Sequence, residues 1–404
     1  MKKIIFANLA ILASCFETTD GTIIDATQYR DEFLAKAENL CSSGENAIVF
    51  ESMHMDKLNS AKSIFTPDKY PYFKFMKRSD VKNIIVNNRD KNNLFVFLSG
   101  KEQDFHIAVQ SKSLFIVPTW IPVDKKSMFY GIHVDTPKQF FKFIKTLNNQ
   151  NHWFATLNIE PNVTALSLMD ARYGYYAKNE EEREMLIHFQ GLLKQGTYRN
   201  YYDILLYHFI AGMTNTTMFD DIELFGMIPS SDCTLNQDMH MFMTQVRYIK
   251  GKRLPKNKMD DDNLLIRHTA KKKAHEVYSG NARVNLKATD EFKTMILNPD
   301  FQKKIDKLRK ENRFNVMVFD DYMTHGNTFN AVRNLLKAEG ANKIIFVSLG
   351  SFNKPFQKND YSITGSVYEP GYTANLIGSS ELCINQFQQE AKQEVAELYD
   401  IFNS

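Results

Sequence analysis

"VMVFDDYMTHGNTF", residues 316–329, decides how this chain is read. Four apolar residues, Val316 to Phe319, run into two adjacent carboxylates, Asp320 and Asp321, and then into a short polar turn around Gly326. An apolar pattern resumes in "FNAVRNLLKAEGA", and "KIIFVSLGSF" follows as the next strand. Continuous apolar runs of this kind suit parallel strands buried on both faces. The pattern predicts a βαβ unit, with a strand over 314–319 and a helix over 328–338.

The polar turn has chemical consequences. Successive N–H groups at Met323, Thr324, His325, Gly326, Asn327 and Thr328, added to a helix N-terminus, make a nest for a dianionic phosphate. Gly326 allows the backbone to approach closely, and the hydroxyls of Thr324 and Thr328 add donors. Carboxylates repel phosphate, so Asp320 and Asp321 are expected to face donors such as sugar hydroxyls, or a divalent metal. One short segment would then hold both parts of a ribose 5-phosphate. A Walker B strand end is the competing reading, but "LFVFLSGKE" carries Phe95 where a P-loop needs its first glycine.

The stretch resembles the phosphoribosyl diphosphate (PRPP) motif of type I phosphoribosyltransferases, at Asp320, Asp321, Thr324, Gly326 and Thr328; Tyr322, His325 and Asn327 depart from it. The resemblance implies that both aspartates contact ribose hydroxyls and Mg²⁺, that 323–328 wraps the 5-phosphate, and that Asp321 assists the nucleophile. Upstream, "FGMIPSS" places Pro229, Ser230 and Ser231 where this family binds pyrophosphate. "LLIRHTAKKKAHEVYSGNARVNLKA" is similar to the segment that precedes the motif in the competence-protein, ComF-like branch. It brings in Arg267, Thr269, and Lys272 or Lys273 as catalytic cations, with Arg283 and Asn285 beside a mobile loop. The zinc ribbon common in that branch is missing, since the chain has no paired cysteines.

Outside this region, residues 1–135 alternate apolar runs ("IIFANLAIL", "AIVFES", "NIIVNN", "LFVFLSG", "SLFIVPTW") with polar, helix-like segments. That texture predicts an α/β layer domain with a largely parallel sheet, and puts Ser99, Gly100 and Lys101 at a strand end. Its pattern faintly resembles a haloacid dehalogenase-like (HAD) domain. Catalytic members need an aspartate nucleophile and a second aspartate two residues on; Ala7 and Leu9 are read in those places, which implies a degenerate scaffold. Residues 137–215 read as helical, with Thr136 capping a helix that has Pro137 in its first turn. No periodicity is legible from 353 to the final helix-like "FQQEAKQEVAELYDIF". The expected organisation is two α/β domains, 1–180 and 185–355, with an extension over 356–404.

The 404 residues carry a net charge of +3 and are 43% hydrophobic, so bulk charge does not call for nucleic acid or anionic lipid. The four cysteines, Cys15, Cys41, Cys233 and Cys383, lack metal-ligand spacing and read as reduced thiols in a cytoplasmic protein. "MKKIIFANLAILASC" also matches a lipoprotein signal ending at Cys15; a buried first strand is the preferred reading. The functional expectation is a PRPP- and Mg²⁺-dependent phosphoribosyl transfer to a nitrogen nucleophile. The alternative is a non-catalytic PRPP or nucleotide sensor, acting as an accessory or effector protein in a bacterial stress or defence operon. Neither a membrane nor a nucleic acid is expected as partner; a homodimer is the assembly to test for.

Overall fold

The computed structural model describes the chain except residues 1, 18–20, 89–92, 148–151, 173–176, 253–262, 272–287, 385 and 404. Its first third contains β1 (Lys2–Asn8), a hairpin of β2 (Cys15–Glu17) and β3 (Ile23–Asp25), then β4 (Asn46–Ser52), β5 (Phe73–Lys77), β6 (Asn93–Leu98), β7 (Leu114–Pro118) and β8 (Ile132–Val134). Six of these form one sheet in the order β5-β4-β1-β6-β7-β8, with every pair parallel. The chain builds outward from β1 to β5, then returns to the other side of β1 with β6. The strand order therefore reverses beside β1, which leaves a crevice at the carboxyl ends of the strands.

Side chains alternate across this sheet as a two-residue period requires. Ile5 and Ala7 enter a large core on one face; Phe6 packs on the other, with ring centroids 5.9 Å from Phe95 and 5.4 Å from Phe97. "NIIVNN" is not a strand. It lies in the helix Arg78–Asn88, where Val81 and Ile85 share one buried face at helical spacing. The edge strand is instead the preceding "FKFMK", β5, whose partly exposed alternation hid it.

The second sheet comprises β9 (Ala155–Glu160), β10 (Val163–Asp170), β11 (Leu224–Met227), β14 (Asn315–Met323), β15 (Lys343–Ser351) and β18 (Gln386–Phe387). Their order is β11-β14-β15-β10-β9-β18; the first four are mutually parallel, and β9 and β18 add antiparallel edges. Two short strands, β12 (Leu265–Arg267) and β13 (Met295–Leu297), pair separately, and β16 (Phe356–Thr364) with β17 (Thr373–Leu382) forms a long hairpin. The wholly helical reading of 137–215 thus misses the β9–β10 hairpin, and the unpatterned tail contains another. The helix starts are as expected: the Thr136 hydroxyl accepts from the Gln139 N–H, and Asn179 caps Glu180–Gln195, which ends on left-handed Gly196.

Within β14, Val316 to Phe319 are fully buried, with Met317 and Phe319 facing one core and Val316 and Val318 the other. The core holding Phe319 is continuous with that of the first sheet. The last helix, Gln389–Asn403, helps to close it. Phe402 packs edge-on to Phe143, and Glu394 lies 2.9 Å from both His152 Nδ1 and His208 Nε2.

Candidate functional site

β11 and β14 end together at the carboxyl edge of the second sheet, where the Ile228 N–H donates to the Phe319 carbonyl at 2.8 Å. The chain then makes a closed loop: the Ser230 N–H donates to the Thr234 carbonyl and the Cys233 N–H to the Ser230 carbonyl. This loop holds Pro229, Ser230 and Ser231, and two contacts tie it to the end of β12. Arg267 Nε donates to the Pro229 carbonyl at 3.4 Å, and the Lys271 N–H donates to the Ser231 carbonyl at 2.7 Å.

Sequence reading missed the residue at the centre of this arrangement. Glu291, in the short helix Ala288–Phe292, is buried. Arg267 Nη2 stands 3.0 Å from its carboxylate, Lys271 Nζ pairs with it, and the Thr328 hydroxyl donates to it at 3.0 Å. Burial alone would raise the Glu291 carboxyl. The charges of Lys271 and Arg267, with hydrogen bonds from Lys271 and Thr328, more than offset that and hold it below the usual glutamate range. A glutamate just before an apolar "TMIL" carries no spacing signal. The only cue was that a buried Arg267 requires an acid partner.

Asp320 and Asp321 are half-buried. Among the described residues neither forms an ion pair. Burial pushes the Asp320 carboxyl well above its usual range, and the charge and side-chain hydrogen bond of Asp321 push it further; the Asp321 N–H, at 2.9 Å, pulls it back in part. Two carboxyls in such contact share a proton near neutrality, as like charges this close cannot both ionise freely. Tyr322 N–H donates to Asp321 Oδ1 at 2.7 Å.

The turn is shorter than expected. β14 runs to Met323, which is buried in the core with its carbonyl accepting from the Phe352 N–H; the strand, not the phosphate loop, takes this residue. Asn327 is already the first helical residue, leaving Thr324, His325 and Gly326 as the turn. Thr324 and His325 are exposed, and the His325 ring lies 3.2 Å from the Pro355 carbonyl. Gly326 adopts φ +69°, and a Cβ there would lie 2.0 Å from the Phe356 ring. The glycine is required twice, by its left-handed backbone and by the ring seated on it. The helix Asn327–Ala338 has no side-chain cap, so its positive end is not occupied by a capping group of the protein. The structure therefore gathers Pro229–Ser231, Arg267, Lys271 and Thr328 around Glu291 beside Asp320. Lys272, Lys273, Arg283 and Asn285 lie outside the described residues.

At the first sheet's edge, β1 ends one residue later than read, so Asn8 and Ala10, rather than Ala7 and Leu9, hold the two positions at issue; neither is acidic. Asn8 Nδ2 donates to Glu51 at 2.9 Å and to Asp104 at 3.3 Å; Ser99 Oγ donates to Asp104 at 2.5 Å. Arg78 Nε lies 2.6 Å from oxygens of both Glu51 and Asp104. Burial, then the charge of Asp104, raises the Glu51 carboxyl to about 8.

All four cysteines are free thiols, and among the described residues no helix is long and apolar enough to cross a membrane. No family model, curated protein or solved structure matches this chain.

Proposed function

We propose that the carboxyl edge of the second sheet binds a ribose carrying a 5-phosphate and a diphosphate, of the PRPP class, and transfers its phosphoribosyl group to a nitrogen nucleophile. The observation that supports this most is convergence. Pro229–Ser231, Arg267–Lys271 and Thr328 are remote in sequence, and hydrogen bonds and ion pairs bring them to one buried carboxylate beside Asp320.

On this reading the uncapped start of the helix at Asn327 and the Thr324–Gly326 turn hold the 5-phosphate. Asp320 and Asp321 accept from the ribose hydroxyls, and Ser230, Ser231, Arg267 and Lys271 face the diphosphate. The bond from the anomeric carbon to the diphosphate oxygen breaks, a bond to nitrogen forms, and Asp321 takes the nucleophile's proton. Two carboxyls are hard oxygen donors of the kind Mg²⁺ takes. Among the described residues no third His, Cys, Asp or Glu joins them as a ligand group, so ligand oxygens and water would fill the remaining positions. When bound, Mg²⁺ would neutralise charge on the diphosphate as it leaves.

One observation favours binding without turnover: Glu291 already engages Arg267, Lys271 and Thr328, the groups assigned to the ligand's anions. Pyrophosphate release from PRPP and Mg²⁺, with a panel of purine and pyrimidine bases, separates the two readings. Release with any one base supports transfer; PRPP binding with no release for the whole panel supports the sensor.

A further inference from the structure

Where the first sheet's strand order reverses beside β1, a cavity of about 890 Å³ opens at the strand ends, within the range of small-molecule sites. The segment after β1 contributes Leu9, Leu12 and Phe16 to its walls; that after β4 contributes Met53, Ile64 and Phe65. Ile64 and Met53 remain well exposed at the rim. Asn8, Ser52 and Gln103 supply uncharged polar groups.

The charged groups here are already paired with one another. Arg78 spends its guanidinium on Glu51, on Asp104, and on the Gln103 carbonyl oxygen at 2.6 Å. Lys101 pairs with Asp124 at 3.2 Å. Asp124 Oδ2 also accepts from the Glu102 N–H at 2.9 Å, so a carboxylate of the protein occupies the start of the helix Glu102–Ser111. Both features that would attract a phosphate, a cationic fork and a helix N-terminus, are thus satisfied internally. The raised Glu51 carboxyl keeps its proton near neutrality, so the cations Lys57, Arg78 and Lys101 are balanced by Asp56, Asp104 and Asp124.

We propose that this crevice binds a small uncharged heteroaromatic molecule, of the nucleobase or nucleoside class, with its ring between the apolar walls and its polar edge toward Asn8, Ser52 and Gln103. Apolar walls with aromatic rings suit a flat ring, and neutral amide and hydroxyl groups read its neutral edge. A charged group would have to break existing ion pairs to find a partner. The first sheet is then a ligand site in its own right, separate from the edge of the second sheet.

Calorimetry on the full chain with adenosine, guanosine, cytidine and uridine, and with their 5′-monophosphates, tests this. At least one nucleoside should bind, and adding its phosphate should weaken binding about tenfold or more. Ala13→Trp should abolish binding by filling the cavity; Ala13 lines it and has an extended backbone that accepts a larger residue. Ile64→Asp, on the exposed rim, should weaken binding and keeps the test open if the tryptophan variant fails to fold. Asp320→Asn/Asp321→Asn should leave nucleoside binding unchanged. The proposal is overturned if no nucleoside binds, if a monophosphate binds as tightly as its nucleoside, if binding survives the cavity variants, or if the double aspartate variant abolishes it.

Discussion

The Arg267 guanidinium stands 3.0 Å from the Glu291 carboxylate, and both groups are buried. Removing one partner of such a pair leaves an uncompensated charge, so Glu291→Gln is expected to destabilise the fold by about 3–5 kcal/mol. Because Glu291 is held below the usual glutamate range, its stabilising contribution is full above that range and fades as pH falls through the lowered value. Urea titrations of wild type and variant should therefore differ widely at neutral pH and converge in acid. An equal gap at every pH would show that the charge is not what matters.

Gly326→Ala meets two obstacles at once, a left-handed φ and the Phe356 ring 2.0 Å from the new Cβ. A loss of about 1–3 kcal/mol is expected, as for other strained or overpacked positions. Phe356→Ala removes the second obstacle but not the first. In a double-mutant cycle the two changes should couple, the alanine at 326 costing less once the ring is gone. Additive behaviour would mean that the ring does not limit this turn.

How far the sequence discloses this molecule depends on pattern strength. The β14–helix–β15 unit was legible because four buried residues and an amphipathic helix follow one another without interruption. β5 and the β16–β17 hairpin were not, since half-exposed strands such as "FKFMK" and "FQKNDYSIT" mix charge with apolar residues and mimic loops. At the site, Asp320, Arg267 and Thr328 announced themselves by type and spacing. Glu291 did not, because its role comes from a tertiary ion pair. The end of β14 was misplaced for a related reason: Asp321 and Tyr322 look like a turn, yet pairing with β15 carries the strand on to Met323.

Lys3 is buried in the central strand with its Nζ donating to the Leu147 carbonyl at 2.9 Å, and burial lowers its pKa to about 7. Between that value and the ordinary lysine range the unfolded chain holds a proton that the folded chain lacks, so this group makes stability rise with pH. Below about 7 the ammonium is buried and charged. Lys3→Met should raise stability by ~1–3 kcal/mol at pH 6 and give no gain at pH 10. Thermal melts at the two pH values check this, and an equal effect at both would contradict it.

Glu51 behaves in the opposite sense. Its carboxyl, facing Asp104, Arg78 and Asn8, titrates near 8 when folded. From the ordinary glutamate range up to that point the folded state holds the extra proton, so this contribution falls as pH rises through the window. Glu51→Gln should flatten the loss of melting temperature between pH 5 and 9. An unchanged profile would remove Glu51 as its source.

The account rests most heavily on the second sheet's edge as a PRPP site. Titrating PRPP with Mg²⁺ into wild type and into Asp320→Asn/Asp321→Asn by calorimetry tests it directly. Wild type should bind, and the double variant should lose affinity by about tenfold or more, as expected when buried acceptors for a ligand's hydroxyls are removed. Equal affinity in the two proteins, or no binding by wild type, would contradict the assignment.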